Sequence, residues 1–450
     1  MSKIALTNRS APDTDTLRSL IAQLLDEGRA HGATAAEASI DTGSGLAVTV
    51  RLGEVETIEH HRDKVLGVTV YIGKQKGSAS TSDLSARAIA DTVQAACAIA
   101  RYTQEDANAG LVEPELMAKT IPDLDLHHPW DLAPDEAIGL AETCETEART
   151  LDARINNSEG ATVNTHRGQH VYGNTAGFLG AWSWTGHSIE CTVIAEDASG
   201  MQRDSWYSVA RDPRELQSAG SVGRRAGQRT VRRLGAKRLS TRNVPVVFEA
   251  EVAKSLFAHF TSAISGGNLY RKSSFLLDHL GKQVFAPHIR IHEQPHLKKA
   301  LGSAPFDNDG VATRARDIIK DGILQGYVLS AYSARKLGMQ TTGNAGGVHN
   351  LTVDPGECDL PGILQMMDTG LLVTDVMGFG VNLVTGDYSR GTTGFWVEQG
   401  TIQFPVEEIT IAGNLRDMFL QLVEVGSDVD TRGNIRTGSV LIEHMTIAGE

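Results

Sequence analysis

The hydrophobic period of this chain changes twice in the same order, and that limits the folds open to it. Between positions 15 and 31, Leu17, Leu20, Ile21, Leu24 and Leu25 recur at intervals of three and four, and Gly28 closes the run. That spacing predicts an amphipathic helix. The period then falls to two. Leu46–Arg51, Glu54–His60, Val65–Ile72 and Lys76–Thr81, separated by Gly53, Asp63 and Gly73, read as antiparallel strands joined by turns. A second helix is predicted from about Leu84 to Arg101, with Ile89, Val93, Ala96 and Ala100 on one face and Ser82 or Asp83 placed to cap it.

The plan then recurs. Pro134, with Asp135 and Glu136 beside it, suits a first helical turn, where a missing N–H and negative charge are both welcome. Leu140, Cys144, Ala148 and Leu151 mark the buried stripe of that helix. Strands follow from Ile155 to about Val209, with Gly160, Gly168, Gly173, Gly177 and Gly200 read as turns, and a helix at Pro213–Leu234 ends the unit. From Lys237 onward glycine becomes frequent and strands short. Asp321-Gly322 and Gln399-Gly400 mark hairpins, and short helices are expected at Glu251–Ser265, Ser333–Leu337 and Leu415–Val423. The expectation is an α+β protein. Its N-terminal half, residues 1–235, has helices packed on antiparallel sheets in two units (about 15–105 and 130–235), and residues 240–450 form a β-rich domain with a few helices.

Charge and cysteine usage exclude several classes. The 450 residues carry a net charge of −13, the wrong sign for a protein that neutralises phosphates, so no nucleic-acid partner is expected. No run reaches the ~18–20 apolar residues of a membrane helix, and Met1–Asp15 lacks the charged and apolar regions of a secretory leader. Cys97, Cys144, Cys191 and Cys358 are scattered, as small buried hydrophobes in a reducing cytoplasm would be.

Local motifs disclose little chemistry. His292-Glu293-Gln294-Pro295-His296 satisfies H-E-x-x-H literally. That motif needs one unbroken helix to set both histidines on a metal, and Pro295 breaks it. With His288-Ile289-Arg290-Ile291-His292 before it, the string reads as a solvated strand face entering a proline turn. Gly386–Thr393 has phosphate-loop spacing but no lysine, so it reads as a turn-rich strand connection, and Asp307-Asn308-Asp309-Gly310 reads as a turn rather than a calcium loop. The basic run Arg224, Arg225, Arg229, Arg232, Arg233, Lys237, Arg238 and Arg242 reads as a helix C-terminus followed by a solvated linker, with no interleaved aromatic residue for stacking.

Longer strings carry more. Ser330-Ala331-Tyr332-Ser333-Ala334-Arg335-Lys336-Leu337-Gly338 precedes Thr342-Gly343-Asn344-Ala345-Gly346-Gly347. With them go Gly386-Asp387-Tyr388-Ser389-Arg390-Gly391, Phe395-Trp396-Val397-Glu398 and Ile409-Thr410-Ile411-Ala412-Gly413-Asn414-Leu415. Gly266-Gly267 through Tyr270-Arg271-Lys272, Phe275-Leu276-Leu277-Asp278, Gly53-Glu54-Val55-Glu56 and Lys76-Gly77-Ser78-Ala79-Ser80 complete the set. Together they resemble the TldD/TldE peptidase family, most closely its TldE (PmbA) branch, over nearly the whole chain.

The resemblance implies a cytoplasmic two-protein metalloprotease that cleaves extended peptides, with roles in peptide-toxin maturation and antitoxin degradation. In it the TldD chain holds zinc on an H-E-x-x-x-H helix and a distant cysteine. Carried onto this sequence, between Val244–Phe248 and Ser265-Gly266-Gly267, the ligand histidines fall on Ala258 and Ala263 and the glutamate on His259; Thr431–Ser439 holds no cysteine. The expectation is therefore a chain with no metal and no catalytic residue of the family type, a partner to a zinc-bearing TldD-like paralogue. The rivals are a stand-alone binding or regulatory protein acting on gyrase or another cytoplasmic target, and an independent zinc enzyme built on His288, His292 and His296.

Overall fold

The computed structural model describes residues 13–449. Most of the segment read as lacking a leader lies outside these residues. Helix α1 (Thr14–Ala30) starts at Asp13, whose carboxylate accepts from the Thr16 N–H. It buries Leu17, Ile21 and Leu24 completely, each contributing roughly 1.5–3 kcal/mol of transfer free energy. Strands β1 (Ala35–Arg51), β2 (Glu54–Ile72) and β3 (Gln75–Thr81) follow. The expected turn at Asp63 is absent: Asp63 pairs with Gly43 in mid-ladder. The polar run there is strand with both faces exposed, so alternation gives no signal. Helix α2 (Ala86–Tyr102) is capped by Ser85 rather than by Ser82 or Asp83; Asp83 instead accepts from the Ser85 N–H and hydroxyl.

The second unit has α3 (Pro134–Arg149), β4 (Ile155–Asn174), β5 (Leu179–Asp197), β6 (Gly200–Ala210) and α4 (Ala219–Val231). α3 buries Ala137, Ala141, Cys144 and Ala148, and Leu151 lies beyond its end, largely exposed. Gly160, Gly168 and Gly173, read as turns, lie inside β4. A Cβ on Gly168 would sit 2.8 Å from the Trp184 ring, and one on Gly173 would sit 2.6 Å from Ile21. These positions lack a side chain because a neighbour occupies the space.

The strands of both units form one antiparallel sheet in the order β3-β2-β1-β4-β5-β6, because β1 pairs with β4 from Glu37↔Asn174 to Val50↔Ala161. Ala36, Ala38, Ile40, Leu46, Val48 and Val50 alternate along β1 and are buried. The same face therefore carries α1 and α2 at one end and α3 and α4 at the other. The opposite face, with Glu37, Ser39 and Asp41, is left for the rest of the chain.

In the second half, β7 (Arg242–Phe248), α5 (Ala250–Ala263), α6 (Gly266–Tyr270), β8 (Ile291–Glu293), β9 (Arg316–Lys320), β10 (Ile323–Leu324), α7 (Ala331–Lys336) and β11 (Leu351–Val353) come first. Then come α8 (Leu360–Met367), β12 (Gly370–Met377), β13 (Asp387–Glu398), β14 (Thr401–Asn414), α9 (Leu415–Leu420), β15 (Leu422–Val425), β16 (Ile435–Arg436) and β17 (Val440–Ala448). One sheet runs β14-β13-β12-β7-β17-β15 and closes on itself where β14 pairs with β17; the other runs β10-β9-β8-β11-β16. Between them Phe285 stacks on Phe419 at 4.5 Å, with Phe260 edge-on to Phe285 at 4.9 Å. The protein is α+β.

Two predicted loops or surfaces turn out differently. Asp387–Thr393 is ladder, not connection, paired with β14. The basic run is only partly solvated: Arg229 is 5% exposed and meets Asp204 at 3.3 Å and Glu249 at 3.4 Å. Trp206 and Phe395, both from distant strands, supply ring faces to Arg225, Arg229 and Arg232. These cations tie the first sheet to the second half. Cys97, Cys144 and Cys191 are buried, and Cys358 is half-buried.

Candidate functional site

The uncovered face of the first sheet meets the second half across a cleft of about 860 Å³, within the size range of small-molecule sites. Its shape follows from the strand sequences. On β1, β2 and β3, apart from Glu37 and Asp41, it is lined by small residues such as Ser39, Gly67, Thr69, Ser78 and Ser80. On β4 and β5 they are large: His170, Tyr172, Trp182 and Trp184. The second half contributes Phe306, Asn308, Asp309, Ala345, Gly346 and His349. Phe306 is held edge-on to Phe178 at 5.1 Å and faces His170 at 6.0 Å. Two strings on which the family resemblance rests, Lys76–Ser80 and Thr342–Gly347, thus line one cleft from opposite sides.

Its polar groups are tightly arranged. Glu37 accepts a hydrogen bond from Tyr71 Oη at 2.9 Å and from Tyr172 Oη at 2.8 Å, one on each carboxylate oxygen. Burial pushes the Glu37 carboxyl above the usual range; the two tyrosines pull it down, and Asp309 pushes it up. Burial, followed by the charge of Glu37, raises both phenols. Asp309 Oδ2 accepts from the Ala331 N–H at 2.9 Å, and burial raises its pKa too. Behind it Asp307, 1% exposed, takes the N–H groups of Asp309, Val311 and Ala345 at 2.8–2.9 Å. Burial and then Asp309 push it up to about 7. Asp307–Gly310 is a turn, as read, but a buried one. On the far side Asp41 meets His170 Nδ1 at 2.7 Å.

The helix that the resemblance points to is α5, and none of its residues lines the cleft. Ala263 is fully buried and Ala258 partly so. Two methyl groups and one histidine make a donor set that does not fit a metal ion. His259 is half-buried, burial and then nearby Arg390 push its imidazole below the usual range, and its Nε2 has no hydrogen-bond partner among the described residues. Its ring lies edge-on to Tyr388 at 6.2 Å.

His292-Glu293 lies in strand β8, but the strand is central, between β9 and β11, and not solvated. Glu293 is 2% exposed because Arg316 on β9 neutralises it at 3.0 Å, and Asn344 and the His349 N–H each donate to it at 2.7 Å. His292 Nδ1 sits 3.1 Å from Asp354, while His296 Nε2 contacts Thr313 Oγ1 at 3.0 Å. The two histidines serve different contacts. Among the described residues, no three His, Cys, Asp or Glu side chains are gathered to hold a metal ion.

Sequence reasoning missed the cleft itself. Glu37, Asp41, His170, Tyr172, Trp182 and Trp184 lie on three strands, and their convergence depends on the β1–β4 pairing. The available signal was parity: Glu37, Ser39 and Asp41 occupy the face opposite Ala36, Ala38 and Ile40.

Comparison with known proteins agrees with this architecture. Family models match in three consecutive pieces: PmbA/TldA metallopeptidase domain 1 over residues 36–100, the central domain over 127–234 and the C-terminal domain over 241–449. The chain is 51% identical over 426 residues to Metalloprotease PmbA of Escherichia coli O157:H7, covering 95% of this chain and 94% of that one. It is 50% identical to the Metalloprotease PmbA homolog of Haemophilus influenzae, covering 92% of each. A Bacteroides thetaiotaomicron crystal structure, titled as a candidate modulator of DNA gyrase, superposes with a TM-score of 0.92 at 27% identity, covering 97% of this chain and 100% of that one. TldE from Thermococcus kodakarensis shares the fold, with a TM-score of 0.84 at 20% identity over 96% of this chain and 100% of that one. In sequence over 95% of its length and in fold, the chain belongs to the PmbA/TldE metalloprotease family.

Proposed function

We propose that this chain is the metal-free subunit of a peptide-cleaving metalloprotease whose zinc is carried by a TldD-like paralogue. The observation that carries this reading is α5. Where the resemblance puts two histidine ligands, the side chains are the methyls of Ala258 and Ala263, and His259 stands in the general-base position. A methyl group donates no electron pair, so no water can be activated there by a metal of the family type. A second fact supports the division of labour. Haemophilus influenzae has both a Metalloprotease PmbA homolog 50% identical to this chain and a Metalloprotease TldD homolog 23% identical to it. In this reading the chain contributes walls to a cavity that admits extended peptides, and the partner contributes the chemistry.

The test is cleavage of an unstructured peptide by this chain, by the TldD-like paralogue from the same genome and by the two mixed, each with and without a chelator. Metal content is measured on each purified protein. Chelator-sensitive cleavage is expected only when the paralogue is present, with faster turnover in the mixture and zinc confined to the paralogue. Chelator-sensitive cleavage by this chain alone ends the reading.

A further inference from the structure

The cleft under the first sheet has no assigned role, and its chemistry narrows what it can hold. Its wall is aromatic, from Tyr172, Trp182 and Phe306, while its floor at Ser39 and Ser80 is small enough to leave room. At one end stand two carboxylates, Glu37 and Asp309. They interact with each other unfavourably. Lys76 lies near enough to ease both and Arg335 eases Asp309, but neither cation forms an ion pair with these two carboxylates among the described residues.

We propose that this cleft binds a protonated primary amine attached to an apolar group, with the ammonium between Glu37 and Asp309 and the apolar part against Tyr172, Trp182 and Phe306. The hydrogen-bond geometry suits this cation better than a guanidinium. A guanidinium needs two adjacent, in-plane acceptor sites on one carboxylate. Tyr71 and Tyr172 already occupy one of the two sites on each oxygen of Glu37, so a fork would have to crowd in beside both phenols. An ammonium has three donors in a cone, so it can take one remaining lone pair from Glu37 and one from Asp309, whose Oδ1 has no partner among the described residues. A bound ammonium relieves the repulsion between the carboxylates, and its hydrocarbon neighbour gains an aromatic surface. On a peptide, such an amine is either the N-terminus or a lysine side chain. The inference needs neither a partner subunit nor a cleavage step, so it survives or fails independently of the function proposed above.

The experiment is titration of the full chain at pH 7, by calorimetry and by the fluorescence of Trp182 and Trp184, with phenylalanine amide, N-acetyl-phenylalanine amide and Nα-acetyl-lysine amide. Saturable binding of one or both free amines is expected, weakened at least tenfold by N-acetylation of the first. The stronger of the two identifies the source as an N-terminus or a lysine. Glu37→Gln keeps an acceptor for the tyrosines and is expected to cost at least tenfold. Ser80→Trp fills the floor from an exposed position and is expected to do the same without touching the carboxylates. Equal affinity for the acetylated probe, absence of saturable binding by every probe, or unchanged binding in both variants overturns the proposal.

Discussion

Changing Glu293 to glutamine separates two meanings of the H-E-x-x-H string. In a zinc peptidase the glutamate is a general base, and its amide abolishes turnover while leaving the fold intact. Here the carboxylate is 2% exposed and holds Arg316 Nε at 3.0 Å, Asn344 Nδ2 at 2.7 Å and the His349 N–H at 2.7 Å. Arg316 in turn donates to the Tyr327 carbonyl at 3.0 Å and to Asn344 Oδ1 at 2.8 Å. Glu293→Gln leaves the guanidinium buried without its counter-charge and can turn an amide N–H toward an Arg316 N–H. Stranding one member of a buried ion pair costs about 3–5 kcal/mol, a large part of the ~5–15 kcal/mol that holds a protein folded. The assay is urea denaturation followed by far-UV circular dichroism, on Glu293→Gln, Arg316→Met and the double variant. The single glutamine variant is expected to unfold at clearly lower urea. The double variant is expected to lose less than the two single losses added, because no stranded charge remains. A wild-type midpoint for Glu293→Gln refutes this account and returns the string to the metal reading.

Two further outcomes follow from buried polar groups. Asp307 moves from 3.8 to about 7 on folding, so between those values the native state binds a proton that the unfolded chain has lost. Stability must therefore fall as pH rises through that window, by up to ~4 kcal/mol at about 1.4 kcal/mol per unit. Urea midpoints at pH 5 and pH 8 check the sign, and Asp307→Asn should flatten the profile. The Tyr388 hydroxyl is buried without a hydrogen-bond partner, so Tyr388→Phe should be neutral or stabilising by up to ~1 kcal/mol, read as an unchanged or raised melting temperature.

Where local chemistry decides, the elements were legible. α1 and α2 lie within two residues of expectation. The hairpin turns Asp321-Gly322 and Gln399-Gly400 adopt the positive φ that the dipeptides announced. Helix α8 was missed although Asp359 caps it and Pro361 opens it, because eight residues are too few to establish a period. Pairing partners were not legible, since a strand's alternation fixes which face is buried but not which strand lies beside it. Glycine was misread for a related reason: at Gly168 and Gly173 the deciding atoms belong to Trp184 and Ile21. In the candidate site, the replacement of ligands by Ala258 and Ala263 could be read directly by alignment to the resemblance. The cleft could not, because it exists only once Glu37 and Tyr172 are brought within 2.8 Å by a ladder joining positions more than a hundred apart.

That ladder also bears on how the protein is made. During synthesis β1 (Ala35–Arg51) leaves the ribosome long before β4 (Ile155–Asn174). Until then one side of β1 is bare backbone, able to pair with a neighbouring nascent chain. Residues 35–81 are thus an unfinished half-sheet whose safe burial waits on translation, and a fragment ending before β4 should aggregate rather than fold.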